Sequence, residues 1–230
     1  MEQLPKGLTL ELCPGAFPLS TDSMVLAHFV KLPKNARVLD LGSGCGTLGL
    51  LLCAKDETCR VTGLELTPEA HEAALANIRA NALEPRLESI CADLRTFDRG
   101  AIAGAFSCCV SNPPYFSGGP ASRKAPLARR EDCCAPEDLF RTASTALKYG
   151  GDFFLVHKPE RLAQLIARGA GEGLEAKRLR LVRHKEGGPI TLILLQFRKG
   201  GKPGLQIDEF CLFDSHGEMT PYYREVYHIN

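Results

Sequence analysis

Short apolar runs alternate with longer amphipathic segments along most of the chain. Runs of strand length, rich in Val, Leu, Ile and Phe, lie at 37–41, 60–65, 86–92, 105–111, 152–157, 178–184 and 190–197. Segments of helical character separate many of these runs, at 46–55, 67–83, 136–148 and 159–171. Strands that alternate with helices form a parallel sheet that is covered by helices on both faces. The pattern therefore predicts an α/β fold.

The last two runs break this alternation. Only the short segment "KEGGP", residues 185–189, separates them, and it is too short to hold a crossover helix. Two strands joined so closely must pair in antiparallel fashion. We therefore expect a seven-stranded, mostly parallel sheet in which the last two strands form an antiparallel hairpin.

The composition is that of one globular domain with appendages, since 44% of the 230 residues are hydrophobic and 24% are charged. The net charge is only +1, but residues 101–230 hold 18 Lys and Arg against 14 Asp and Glu, so a basic patch there could meet a phosphate backbone. No apolar run has the length of a signal-peptide core or a membrane span, which predicts a cytoplasmic protein without membrane contact.

The 10 cysteines include no C-x-x-C pair, the spacing that is typical of zinc sites. A disulfide framework is not expected in an intracellular chain of this size. We therefore expect no metal, and we interpret most of these cysteines as small buried hydrophobic residues.

A glycine-rich turn, "VLDLGSGCG" (38–46), follows the first predicted strand and precedes a helix. In a parallel α/β sheet this crevice is where a nucleotide-like ligand binds. Gly42 and Gly44 fit the dinucleotide fingerprint, but Thr47 stands in its third glycine position. Asp40 would repel a pyrophosphate and attract a ligand with an ammonium group, such as S-adenosylmethionine.

Two more acidic residues end the next two strands. Glu65 ends the second strand, where a carboxylate can accept hydrogen bonds from both ribose hydroxyls. Asp93, in "CADL" after the third strand, can accept from the exocyclic amine of an adenine. Three acids at the ends of three successive strands favour a cofactor site over an NAD-type or ligandless α/β domain.

The segment "SNPPYF" (111–116) directly follows the fourth apolar run. Proline fixes its own φ, supplies no N–H and pushes the preceding residue toward extended geometry. Asn112 and Pro113 are therefore expected to be extended, with carbonyl groups that no helix satisfies, and Tyr115 offers a flat face beside them.

The motifs "VLDLGSGCG", "GLEL", "CADL" and "NPPY" together resemble the class I S-adenosylmethionine-dependent methyltransferases over roughly residues 17–200. The tetrapeptide resembles that of enzymes that methylate an amine attached to a planar carbon. The resemblance implies that the Asn112 side chain and the Pro113 carbonyl accept the two N–H bonds of the amine. It further implies that Tyr115 stacks on the target and that Pro114 stiffens the turn.

The resemblance also implies a cofactor site and a division of the chain. S-adenosylmethionine is the expected cofactor and S-adenosylhomocysteine its product. The expected segments are an N-terminal segment over the cofactor site (1–35), a Rossmann-like methyltransferase core (36–200) and a C-terminal extension packed on the core (201–230). The implied cofactor-binding residues are Thr21, Asp40, Gly42, Ser43, Gly44, Glu65, Leu66, Asp93, Leu94 and Asn112.

The tetrapeptide alone does not identify the amine, since adenine N6, cytosine N4 and a glutamine amide all present NH2 on a planar carbon. The flanking segments "GAFPLSTDSMVLAHFV" (15–30), "ARRE" (128–131), "GKPGL" and "YYREVY" resemble the valine-tRNA adenine-N6 methyltransferases. Arg130 departs from that family, which has His there. The resemblance implies methylation of an adenosine beside the anticodon of a tRNA.

Three alternatives stay open at this stage. They are a glutamine-N5 methyltransferase of a release factor or another protein, a ribosomal RNA adenine or guanine amino-methyltransferase, and an inactive RNA-binding module. For an RNA substrate, the basic loop after the tetrapeptide is the expected contact, and the protein is expected to be a monomer or a weak dimer. The candidate RNA-binding residues are Arg123, Lys124, Arg129 and Arg130.

Overall fold

The computed structural model describes residues 1–14, 19–113 and 136–227. Two short strands near the N-terminus form a small antiparallel pair, and eight further strands form one sheet. The pair consists of β1 (Glu2–Gln3) and β2 (Thr9–Leu10). The sheet consists of β3 (Arg37–Leu41), β4 (Arg60–Glu65), β5 (Leu87–Cys91), β6 (Phe106–Ser111), β7 (Leu147–His157), β8 (Leu174–Lys185), β9 (Ile190–Lys199) and β10 (Gln206–Phe213).

The strand order is β10-β8-β9-β7-β6-β3-β4-β5. The five strands β7, β6, β3, β4 and β5 are parallel to one another. Only β9 runs the other way, between β7 and β8, and it pairs with both in antiparallel fashion. The predicted mostly parallel sheet and the antiparallel pairing of the runs near 178 and 190 are thus confirmed.

The predicted count of seven strands is wrong, because β10 adds an eighth strand parallel to β8. Gln206, Ile207, Asp208 and Glu209 are all exposed, so this edge strand lacks the alternation of buried and exposed positions that marks a half-buried strand. Its pairing with β8 places part of the C-terminal segment within the sheet. The division into segments 1–35, 36–200 and 201–230 remains a prediction.

Helices cover both faces of the sheet. Their ranges are α1 (Thr21–Phe29), α2 (Thr47–Lys55), α3 (Pro68–Ala80), α4 (Pro136–Ala146), α5 (Leu162–Gly171) and α6 (Pro221–Val226). One core layer packs α1, α2, α3 and α6 against the sheet, and the other packs α4 and α5. No helix of the described residues is long and apolar enough to cross a membrane.

Side chains of β3 alternate between these two layers. Val38 belongs to the layer of α1, whereas Leu39 and Leu41 belong to the layer of α4. Because successive side chains of a strand point to opposite faces, Asp40 lies on the α1 side with Val38. Val110 of β6 also lies in that layer, so Asn112, two residues later, follows the same side.

The helix predicted at 136–148 is two residues too long. α4 ends at Ala146, and β7 begins at once with Leu147, whose side chain is fully buried. The register between β6 and β7 shifts after Phe106, and Gly150 takes a φ of 79° there. Gly150 thus lies at an irregularity near the start of this strand.

Candidate active site

Three of the predicted site residues lie level with one another at the carboxyl edge of the sheet. In the parallel register, Asp40 of β3 pairs with Val110 of β6 and with Gly63 of β4. Two residues further along each strand lie Gly42, Asn112 and Glu65. The glycine turn, the tetrapeptide and the acid of β4 therefore meet at neighbouring strand ends, which is where ligands bind in open α/β sheets.

The glycine turn is held by the end of β4. The backbone N–H groups of Gly42 and Ser43 both donate to the Leu64 carbonyl, at 2.9 and 3.1 Å. Gly42 and Gly44 have φ values of 72° and 55°, which only glycine adopts without strain. No atom lies within 4 Å of the position that a Cβ would take at either glycine. The turn therefore leaves open space beside its backbone at Gly42 and Gly44.

Glu65 ties this turn to the start of α3. One carboxylate oxygen accepts the backbone N–H of Gly44 at 2.8 Å. The other accepts the backbone N–H of Thr67 at 2.9 Å and the Thr67 hydroxyl. The carboxylate is thus oriented before any ligand arrives, and the oxygen that accepts from Gly44 keeps lone-pair capacity for a hydroxyl group.

Asp40 is almost completely buried, with 1% of its surface exposed. Neither carboxylate oxygen has a partner in hydrogen-bonding geometry among the described residues. Burial, and then the nearby Glu65 carboxylate, raise the pKa of Asp40 to about 8, against a smaller opposing effect of the Gly49 backbone N–H. A buried carboxylate without a partner favours a cationic ligand group, and the ammonium of S-adenosylmethionine fits this requirement.

The Ser43 hydroxyl is buried and has no hydrogen-bond partner among the described residues. It packs against Gly63, where a Cβ would come within 2.7 Å of its Oγ. Gly63 thus permits the close approach of the glycine turn to β4. No ligand contact of the Ser43 side chain follows from this placement, and its predicted role stays a prediction.

Asp93 lies just beyond β5 and is paired with Arg95. The Arg95 Nε lies 2.9 and 3.0 Å from the two Asp93 oxygens, and Nη2 lies 2.6 Å from Oδ2. The Arg95 side chain, through its hydrogen bonds, lowers the pKa of Asp93. An adenine amine that binds Asp93 must share the carboxylate with this guanidinium or displace it.

Asn112 is anchored by a residue far away in the sequence. Its Nδ2 donates to the Ser23 Oγ of α1 at 3.0 Å, and Pro113 beside it is buried. Pro114 and Tyr115 lie outside the described residues, and their predicted roles stay predictions. The same holds for the basic loop residues Arg123, Lys124, Arg129 and Arg130.

The remaining predicted cofactor residues lie around this edge. Thr21 opens α1, and its Oγ1 lies 3.4 Å from the Tyr223 hydroxyl of α6. Leu66 is half-buried after β4, and the Leu94 side chain is buried in the core layer of α4. The Leu94 side chain therefore serves packing, and only the backbone of this residue remains as a group for a polar contact.

The sequence alone gave no indication of two positioning side chains. Ser23 holds Asn112 across 89 residues of sequence. Asn77 of α3 donates to the carbonyls of Glu11 and Cys45, at 2.8 and 3.0 Å, and so joins the N-terminal segment to the glycine turn. Neither contact has a spacing that a sequence motif could reveal, although Ser23 lies within the segment 15–30, which resembles the valine-tRNA adenine-N6 methyltransferases.

Comparisons with known proteins agree with this geometry. Residues 18–168, more than half of the chain, match the family model of the methyltransferase small domain. The chain belongs to this family. This methyltransferase is 30% identical over 185 residues to a tRNA1(Val) (adenine(37)-N6)-methyltransferase from Bacteroides fragilis. The alignment covers 79% of this chain and 77% of the relative.

Solved methyltransferase structures share the fold. A predicted O-methyltransferase from Agrobacterium tumefaciens superimposes with a TM-score of 0.76 at 24% identity, covering 90% of this chain and 96% of that one. A geranyl diphosphate C-methyltransferase from Streptomyces coelicolor, solved with S-adenosyl-L-homocysteine, gives a TM-score of 0.56 at 13% identity over 77% of each chain. This methyltransferase thus has the fold of S-adenosylmethionine-dependent enzymes.

Proposed function

We propose that this methyltransferase transfers a methyl group from S-adenosylmethionine to the exocyclic N6 amine of an adenosine in RNA, with a tRNA adenosine near the anticodon as its substrate. The observation that carries the proposal is the anchored amide of Asn112, level with the glycine turn beside the buried Asp40. The name of the Bacteroides fragilis relative supports tRNA and adenine N6 over the other amines.

The cofactor side of the site is built from three strand ends. Asp40 would hold the ammonium group, Glu65 the ribose hydroxyls and Asp93 the adenine amine, with the glycine turn between them. When bound, S-adenosylmethionine supplies an electrophilic methyl group on a sulfonium. The burial and raised pKa of Asp40 support this assignment, because its ionised form lacks a partner within the described chain.

The substrate side needs two acceptors and no nucleophilic side chain. An amine conjugated to a ring is a weak nucleophile, and acceptors aimed at its hydrogens stabilise the positive charge that develops on nitrogen. Asn112 Oδ1 and the Pro113 carbonyl would supply these two acceptors. Holding the nitrogen in line with the methyl group contributes by orientation, and Tyr115 would stack on the extruded base.

The remaining parts of the proposal follow from this substrate. The basic loop residues would contact RNA phosphates, and the protein would act in the cytoplasm as a monomer or weak dimer. In the proposed division, residues 1–35 cover the cofactor site, 36–200 form the core and 201–230 pack on it. The residues that would contact phosphate are Arg123, Lys124, Arg129 and Arg130.

An acceptor assay tests the proposal. Labelled S-adenosylmethionine is offered with total tRNA, ribosomal RNA or release factor, each taken from cells that lack this gene. We expect label in the tRNA fraction, and we expect it to fall at least about 100-fold with the Asn112→Ala variant. Label in the release factor, recovered as methylglutamine, would overturn the RNA assignment but retain the amine chemistry. Label in ribosomal RNA alone would overturn the tRNA assignment.

A further inference from the structure

We propose that Ser23 is a positioning residue for methyl transfer, which holds the Asn112 amide with its carbonyl oxygen toward the substrate amine. The proposal rests on the proposed function, since it assigns the orientation that this function requires. Its structural basis is the hydrogen bond from Asn112 Nδ2 to Ser23 Oγ, at 3.0 Å. Ser23 lies on α1 and Asn112 at the end of β6, so the bond joins two separate elements of the site.

Orientation matters because the two ends of an asparagine amide have the same shape and opposite hydrogen-bonding character. The oxygen accepts an N–H bond, whereas the NH2 group only donates. An Asn112 amide rotated by half a turn would present NH2 to the substrate amine, and two donors would face each other. Transfer therefore requires a neighbour that stabilises one of the two orientations.

A serine hydroxyl can accept from Nδ2 or donate to Oδ1, so its own proton must be directed elsewhere. The Ser20 Oγ lies 3.4 Å from the Ser23 Oγ and accepts the Ser23 backbone N–H at 3.3 Å, as the N-cap of α1. With the Ser23 proton directed to Ser20, the lone pairs of Ser23 face Asn112. Donation then runs from Asn112 to Ser23 and from Ser23 to Ser20.

Ser23 itself is held in place by the packing of α1. Its residue surface is only 7% exposed. The Lys55 ammonium of α2 donates to the Ala27, His28 and Val30 carbonyls at the end of α1, at 2.9, 2.8 and 2.7 Å. At the first residue of α1, Thr21 contacts Tyr223 of α6. A helix fixed at both ends gives Ser23 a defined position from which to orient Asn112.

The test measures kcat and KM for tRNA and for S-adenosylmethionine in Ser23→Ala, Ser23→Thr and Ser144→Ala. We expect Ser23→Ala to lower kcat about tenfold, or about 1.4 kcal/mol, with both KM values within about twofold. Ser23→Thr keeps a hydroxyl and should retain most of the activity. Ser144→Ala removes a serine hydroxyl bond elsewhere, from Ser144 Oγ to the Glu172 carbonyl at 2.7 Å, and should leave kcat unchanged.

Two further results separate positioning from stability. In the Asn112→Ala background, Ser23→Ala should cause no additional loss, because the group that it orients is gone. The chain has five asparagines, so protein labelled at the asparagine side-chain amides gives few NMR signals. The Asn112 signals are assigned as those that disappear in Asn112→Ala. These resonances should shift in Ser23→Ala and stay close to their wild-type position in Ser23→Thr.

The outcomes that overturn the inference are distinct from those that overturn the function. A wild-type enzyme that methylates tRNA, with an unchanged kcat in Ser23→Ala, overturns the positioning role alone. So does a full additional loss in the double variant, or an Asn112 amide signal that Ser23→Ala leaves unmoved. A wild-type enzyme that methylates no RNA overturns the proposed function and the positioning role with it.

Discussion

The buried carboxyl of Asp40 makes the stability of the ligand-free protein depend on pH in an unusual direction. Burial and the Glu65 carboxylate raise its pKa to about 8 in the folded state, from 3.8. Between these two values the folded state binds one more proton than the unfolded state. The free energy of unfolding therefore decreases as the pH rises through this window, because unfolding allows Asp40 to ionise in water.

The magnitude follows from the linkage relation. One proton contributes about 1.36 kcal/mol per pH unit, so Asp40 should lower the free energy of unfolding by roughly 2–3 kcal/mol between pH 5 and pH 7. The dependence should flatten above the folded-state pKa of about 8. Asp40→Asn removes the titrating group and should remove this part of the pH dependence.

Urea denaturation of the ligand-free protein at pH 5, 6, 7 and 8 measures this difference. The comparison of wild type with Asp40→Asn cancels the contributions of all other titrating groups. Asp56→Asn is the matched control, because hydrogen bonds from Thr58 lower the pKa of that exposed carboxyl. Asp56 is thus ionised in both states above pH 5, and its removal should leave the slope unchanged.

The same reasoning predicts a proton release when S-adenosylmethionine binds near pH 7, since an ammonium partner favours ionised Asp40. Calorimetry in buffers of different ionisation enthalpy detects that release. Parallel pH dependences of wild type and Asp40→Asn, together with binding that releases no proton, would refute the account of Asp40 as a buried, protonated acid.

Three further substitutions test other parts of the site. Asn112→Ala should lower kcat by at least about 100-fold while the Kd for S-adenosylmethionine changes less than about threefold, and substantial methylation by this variant would contradict its role. Arg95→Ala should tighten cofactor binding by up to about fivefold, because an exposed ion pair of about 0–1 kcal/mol no longer competes for Asp93, whereas weaker binding would show that Arg95 assists the cofactor. Lys55→Met should lower the free energy of unfolding by about 1–3 kcal/mol in urea, since the Ala27, His28 and Val30 carbonyls at the end of α1 lose their charged donor. An unchanged midpoint would contradict that anchoring.

The sequence predicted the sheet and the motif positions because both depend on local patterns. Apolar runs marked most of the strands, and the glycines at 42 and 44 marked a turn, where the structure has positive φ values at both. The edge strand β10 was not predicted because its first four residues are all exposed, so they do not show the alternation of buried and exposed positions that marks a strand. Its place in the sheet is set by pairing with β8, which lies more than twenty residues earlier in the chain.

The motifs predicted which residues lie in the site but not the hydrogen bonds and ion pairs that these residues make. Asp40 and Glu65 could be assigned to strand ends, but the hydrogen bonds of Glu65 to the Gly44 and Thr67 backbones depend on how the turns fold. The pairing of Asp93 with Arg95 is local, yet nothing in the spacing distinguishes an ion pair from two solvated charges. Ser23 reaches Asn112 only after α1 packs on the sheet.

The identity of the modified nucleoside tests the central claim most directly. Total tRNA from cells lacking this gene is incubated with the purified protein and labelled S-adenosylmethionine, digested to nucleosides and separated by liquid chromatography with mass spectrometry. The proposed function predicts that the label elutes with N6-methyladenosine and that Asn112→Ala lowers this label at least about 100-fold. Label in 1-methyladenosine, 2-methyladenosine or a 2′-O-methylated nucleoside, with N6-methyladenosine unlabelled, would contradict the assignment of the Asn112 and Pro113 acceptors to an exocyclic amine.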